Sequence, residues 1–174
     1  MRNFLTALAV VFALTFALPA IAEAHQPTSN TCWQYANHYP HSVRAHYNSC
    51  MWWRVRHIGK HYRHLAHPSV KQAKFIICSY WKRPGLCVKA WIVAWKESSL
   101  YWGATNGQYC SVYQMGTSER ATYGGNPCHH GGNNIRAAYD YDGGGARFGP
   151  WQCKPTLSTS DGCKSVPAWV LRRP

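Results

Sequence analysis

Eight cysteines, at positions 32, 50, 78, 87, 110, 128, 153 and 163, constrain this chain more than any other feature. An even set of cysteines in an oxidising compartment restricts the fold to shapes that bring them together in pairs. The compartment is read from what precedes them. Residues 4–18 (FLTALAVVFALTFAL) form an apolar run behind Arg2, followed by the small-residue sites Ala20-Ile21-Ala22 and Ala22-Glu23-Ala24. That is the anatomy of a secretory leader cleaved after Ala24, and the run is short of the roughly 20 residues a membrane span needs. A retained N-terminal anchor is the alternative. All eight cysteines follow the cleavage site, so the expectation is up to four disulfides in a secreted protein, extracellular or wall-associated, with no stable membrane insertion once the leader is gone. Zinc ligation is the competing reading, and no C-x2-C pair supports it. The pairing stays open at this level.

Charge narrows the partners. Nineteen Lys and Arg against six Asp and Glu give a formal net charge of +13, which loss of the leader leaves unchanged because Arg2 and Glu23 go together. Charged residues are 14% of the chain and aromatics another 14%, a composition that excludes both an acidic disordered segment and a long solvated coil. Such positive charge points to a polyanionic partner: nucleic acid, a membrane surface or a bacterial cell wall. The chain is long enough for one domain. It divides into the leader (1–24), a basic His/Trp/Arg-rich extension (25–68), a main domain (69–154) and a proline-containing tail (155–174) held in place if Cys163 is paired.

Residues 25–67 carry eight of the ten histidines. From Trp52 to Leu65, Val55, Ile58, Tyr62 and Leu65 recur at helical spacing, and His57, His61 and His64 fall on an adjacent stripe. Imidazoles one turn apart can share a metal ion. No carboxylate is near enough in sequence to complete or orient such a shell, so the expectation is a basic helix facing solvent or a polyanion, with no metal. His67-Pro68 breaks this helix and Ser69 caps the next, Val70–Trp81. Arg83-Pro84-Gly85 reads as a turn, and Val88–Glu97 (VKAWIVAWKE) as an apolar helix whose Trp91 and Trp95 belong to the core.

Glu97 shares a helical face with Ala94, Val93 and Ala90. A carboxyl on the apolar side of a buried helix is desolvated, which favours its neutral form and suits a general acid. A frayed helix end facing water is the plainer alternative. Beyond Glu97-Ser98-Ser99 comes Gly103-Ala104-Thr105-Asn106-Gly107, whose Asn-Gly pair favours a hairpin, then Ser111-Val112-Tyr113-Gln114-Met115 and Gly124-Gly125.

Taken in order, E-S-S-L … N-G-Q-Y-C-S-V-Y-Q-M-G-T-S-E-R-A-T-Y-G-G resembles the lysozyme-like superfamily, in particular secreted bacterial domains of the lytic transglycosylase and resuscitation-promoting-factor type. Their pattern is E-S at a helix end, a hairpin, G-L-x-Q, and a helix closing on G-G. Asn134-Ile135-Arg136-Ala137-Ala138-Tyr139-Asp140-Tyr141 is similar to their N-I-x-x-G/A-x-x-Y helix, and Phe148-Gly149-Pro150-Trp151-Gln152-Cys153 to their G-x-x-P-W-x-C ending. The resemblance covers roughly residues 70–154; each motif alone is loose, and their order and spacing together are specific.

The resemblance implies an α+β, mainly α-helical, disulfide-stabilised domain with a small β-hairpin at residues 102–114 walling a cleft. It implies a peptidoglycan-cleaving glycosidase, muramidase or lytic transglycosylase, cutting the β-1,4 bond between N-acetylmuramic acid and N-acetylglucosamine without a cofactor. Glu97 matches the catalytic acid, Gln114 the glutamine beside the sugar groove, and Tyr141 the tyrosine that in some members faces the glutamate. Ser111 stands where the family usually has glycine, and Cys110 where an apolar residue is common; a positive φ at 111 would strain a serine.

Tyr109, Tyr113, Trp102 and Trp151 are candidate sugar-stacking surfaces, with core packing or a hairpin ladder as the alternative. Glu119 is the candidate second carboxylate, or else a helix N-terminal acid favoured by the dipole. Asp140 and Asp142 read as turn or ion-pair residues. The basic surface then suits peptidoglycan and anionic cell wall, and nucleic acid is not expected as a partner. Two other classes stay open: a non-catalytic wall- or glycan-binding protein, and a cationic antimicrobial or metal-sequestering protein acting through residues 25–67.

Overall fold

The computed structural model describes residues 28–124, 127–145 and 147–174; the expected leader lies outside them. Six α-helices occur among these residues: α1 (Ser29–Asn37), α2 (Val43–Tyr62), α3 (Val70–Tyr80), α4 (Pro84–Ser98), α5 (Thr117–Tyr123) and α6 (Gly131–Tyr141), with short 3₁₀ turns at Pro127–His129 and Ala168–Leu171.

Local chemistry sets several of these boundaries. At α3, Ser69 and Gln72 form a reciprocal capping box, each side chain bonding the other's backbone N–H. The turn expected at Arg83-Pro84-Gly85 is instead the first turn of α4. Pro84 occupies its first positions, where the missing N–H costs nothing because that donor has no intrahelical partner. The helix therefore starts four residues before Val88.

α4 is the central element. Ala90, Trp91, Val93 and Ala94 are fully buried and pack with Ile76, Ile77, Cys78, Val112, Tyr113, Ile135 and Phe148. Trp91 donates its indole N–H to the Lys74 carbonyl at 3.0 Å, whereas Trp95, at the core's edge, donates to the Ser165 carbonyl at 2.8 Å. α2 lies against α3 closely enough that a Cβ on Gly59 would stand 1.9 Å from the Phe75 carbonyl oxygen.

Val55 of α2 is buried in the same core, and Arg63 bonds the Ser79 side chain and carbonyl, so the segment read as an extension shares its packing with α3. The tail is likewise packed. Val170 is fully buried, and Lys74 lies 4.2 Å over the Trp91 ring while donating to the carbonyls of Trp169 and Arg172. Burial lowers the Lys74 ammonium to about 8.

The cysteines pair in sequence order: Cys32–Cys50, Cys78–Cys87, Cys110–Cys128 and Cys153–Cys163. No helix among the described residues is long and apolar enough to cross a membrane. A second structural expectation is corrected: no β-hairpin forms at 102–114. The Asn106-Gly107 turn is made, with Gly107 at φ +89° and Asn106 Oδ1 accepting the N–H groups of Gln108 and Tyr109. Beyond it only two isolated antiparallel bridges occur, Thr105 with Cys110 and Cys110 with Met115. Ser111 (φ +67°) and Gln114 (φ +45°) sit in left-handed conformation, and two such residues prevent an extended ladder from propagating.

Candidate active-site cleft

Glu97 lies in the last turn of α4, which Ser99 and Leu100 end in consecutive left-handed conformations. The Leu100 N–H returns to the Ala94 carbonyl at 3.1 Å and the Leu100 side chain is fully buried, so the chain leaves the helix along a fixed path. Ser98, the neighbour of Glu97, is buried and donates its hydroxyl to the Val112 carbonyl at 2.6 Å. This bond draws the 104–115 loop across the helix end. Buried Asn134 of α6 clamps the same loop from its other side, accepting the Tyr113 N–H at 2.8 Å and donating to the Cys110 carbonyl at 3.3 Å.

Between this loop and the segment 150–152 opens a cleft of about 340 Å³, lined by Glu97, Asn106, Tyr109, Gln114, Pro150, Trp151 and Gln152. Glu97 is half-buried, and Oε1 accepts the Cys153 N–H at 3.3 Å. Burial pushes its carboxyl above the usual range; the Cys153 N–H and the Lys164 charge pull it back, and Asp161 raises it further. Asp161 itself is held down to about 2, chiefly by its hydrogen bond from Lys96, whose buried ammonium lies 2.8 Å from Oδ2. It therefore serves as a fixed structural anion.

Gln114 donates both amide hydrogens inward, to Ala104 O at 3.1 Å and Ser111 O at 2.9 Å. Its Oε1 is left as an acceptor on the cleft wall. Tyr109 is 38% exposed and presents a ring to the cleft. Trp151 is nearly buried, its indole N–H donated to the Tyr113 carbonyl at 3.1 Å, and contributes only an edge.

The remaining sequence candidates lie elsewhere. Tyr113 is fully buried, with its hydroxyl on the Ala90 carbonyl at 3.0 Å, so its ring offers no face to a ligand. Trp102 stacks on His67 at 3.9 Å and does not line the cleft. Tyr141 is one ring removed, edge-on to Trp151 at 5.9 Å and 5.2 Å from Tyr123. Glu119 packs near Gly116 beside the Tyr109 ring and is not part of the lining either. Asp142 is a buried turn residue whose Oδ1 accepts the Phe148 N–H at 2.6 Å, and burial raises its carboxyl.

Asn106, Pro150 and Gln152 line the cleft without having been singled out. Asn106 carried a signal as half of the Asn-Gly turn, while Gln152 had none. Of the histidine stripe, the rings of His57 and His61 meet edge-on at 5.2 Å, and no group of three or more metal-ligating side chains occurs among the described residues.

Comparison of the chain with protein-family models, with curated proteins and with solved structures found no match.

Proposed function

We propose that this is a secreted, lysozyme-like enzyme that cleaves the glycan strands of peptidoglycan, with Glu97 as general acid. The observation that carries the reading is a half-buried carboxyl, raised by desolvation, at the floor of an open polar cleft beside a glutamine acceptor and an exposed tyrosine. Four disulfides and the leader-like N-terminus support export.

In the proposed reaction protonated Glu97 donates its proton to the glycosidic oxygen as the C1–O bond breaks with oxocarbenium character. Among the described residues Glu97 is the one carboxylate lining the cleft. That supports the transglycosylase branch over a two-carboxylate mechanism. The substrate's N-acetyl oxygen shields C1, then its own 6-hydroxyl attacks C1 and returns a proton to the Glu97 carboxylate, giving a 1,6-anhydro end. Gln114 Oε1 is placed to accept from a sugar amide or hydroxyl, and Tyr109 offers a stacking face.

The same lining suits a second reading, a glycan-binding protein that holds a strand without cutting it. Turbidity loss of purified peptidoglycan, with fragments identified by mass, separates them. The expected result is clearing with anhydro-muramyl ends, abolished in Glu97→Gln. Fragments with reducing ends would make it a hydrolase, and binding without fragments by both proteins would make it a binder.

A further inference from the structure

A second concavity lies away from Glu97. Trp53, Arg56, His57 and Lys60 of α2 face Ser79 and Lys82 across a groove of about 250 Å³. Arg56 Nη1 donates to the Lys82 carbonyl at 2.9 Å, which fixes the guanidinium across the groove and leaves its other N–H groups free for a ligand. The Trp53 ring stacks on His57 at 4.7 Å and 12° and is 47% exposed, so a flat aromatic face continues the basic lining outward.

None of the five described carboxylates lines this groove. Two are fixed elsewhere, Asp161 by Lys96 and Asp142 by the Phe148 N–H, Glu97 lies in the other cleft, Glu119 packs near Gly116, and Asp140 belongs to α6, outside the lining. Three cations converging on one concave space without a counter-charge repel one another, and an anion with several oxygens would relieve that repulsion.

We propose that this groove binds phosphodiester groups of an anionic cell-surface polymer, with a phosphate between Arg56, Lys60 and Lys82 and the adjoining polyol or sugar against Trp53. The phosphate chemistry follows from the groove, while the cell-surface source rests on the peptidoglycan reading. Donors from α2 and from the segment after α3 approach from different sides, which suits a tetrahedral anion better than a flat carboxylate. The polymer is inferred because the groove is open and its aromatic face extends beyond the cations.

The test is titration of the purified protein with polyglycerol phosphate, followed by NMR and calorimetry, against inorganic phosphate, poly-glutamate and duplex DNA at equal charge. Shifts should localise to Trp53, Lys60 and Lys82. The double variant Lys60→Gln/Lys82→Gln should weaken binding about tenfold or more and flatten the log K against log salt slope by about two. Lys71→Gln/Lys89→Gln, an equal charge loss on exposed lysines elsewhere, should change affinity less than about threefold. Trp53→Ala, which alters no charge, should weaken binding severalfold and guards against a purely long-range effect.

Equal weakening by both lysine pairs, no shift at Trp53, or tighter binding of DNA at these residues would overturn the proposal. Glu97→Gln should bind the polymer as the parent does. Polymer binding by a parent protein that fails to cleave walls would uphold the groove and retire the enzyme reading, and cleavage by the parent without polymer binding would do the reverse.

Discussion

At the Glu97 cleft a single carboxylate is half-buried and held toward its neutral form, whereas in the Trp53 groove three cations stand together with water around them. The chain has few acids and many bases, yet it half-buries one acid in a cleft and leaves Lys60 and Lys82 exposed at the other site, while Lys74 and Lys96 are buried against carbonyls. Burial makes the first group chemically unlike its free counterpart. The second set is distinctive by its arrangement, three cations facing one groove.

The sharpest way to separate the two is Glu97→Gln. Wall cleavage should fall by about 10²–10⁴, the usual contribution of a general acid. Stability should hold or rise by up to about 1 kcal/mol, since glutamine keeps the acceptor for the Cys153 N–H and removes a carboxyl that dislikes its surroundings. Fragment release and a urea midpoint on the same preparation check both halves; a variant that loses activity by unfolding would contradict the account.

Gly59→Ala should break the other region. Its Cβ would meet the Phe75 carbonyl, which is backbone and has no room to yield, and α2 would be pushed from α3 at a cost of about 3 kcal/mol. The Trp53 groove spans that junction, so it should be damaged more than the Glu97 cleft, measurable as polymer affinity lost before wall cleavage at temperatures below the melt.

pH distinguishes the regions next. Because the folded-state pKa of Glu97 is raised, the fraction carrying the catalytic proton falls as pH rises through that value, and kcat/KM should drop about tenfold per pH unit above it. The stability link has matching sign. A folded pKa above the unfolded one means stability declines as pH climbs from the unfolded toward the folded value, and Glu97→Gln should flatten that part of the curve.

Ser111→Gly should have the smallest effect. Ser111 is fully buried at φ +67° and its hydroxyl has no partner, so glycine relieves both defects and stabilises by about 1 kcal/mol after its own entropy cost. A lowered melting temperature would show that the serine contributes something its geometry does not reveal.

Legibility in the sequence followed the range of the interaction. The α3 start was readable because Ser69 and Gln72 are three residues apart, and Glu97 because helical spacing put it beside Ala94, Val93 and Ala90. The hairpin failed as an expectation because the Asn106-Gly107 turn is local, whereas the loop that carries the left-handed Ser111 and Gln114 is held at Val112, Tyr113 and Cys110 by Ser98 and Asn134 from other helices. Aromatics were the hardest to sort. Tyr109 and Tyr113 are four residues apart in one loop, and only packing against Ala90 decides that one faces solvent while the other is in the core.

The order of the disulfides has a consequence for biogenesis. Each cysteine is joined to the next one along the chain, never to a more distant one. A chain threaded through an exporter from its N-terminus presents its thiols in that same order. An oxidant that simply links each unpaired thiol to the next to emerge would produce the native set, with no isomerase needed to undo mispaired loops.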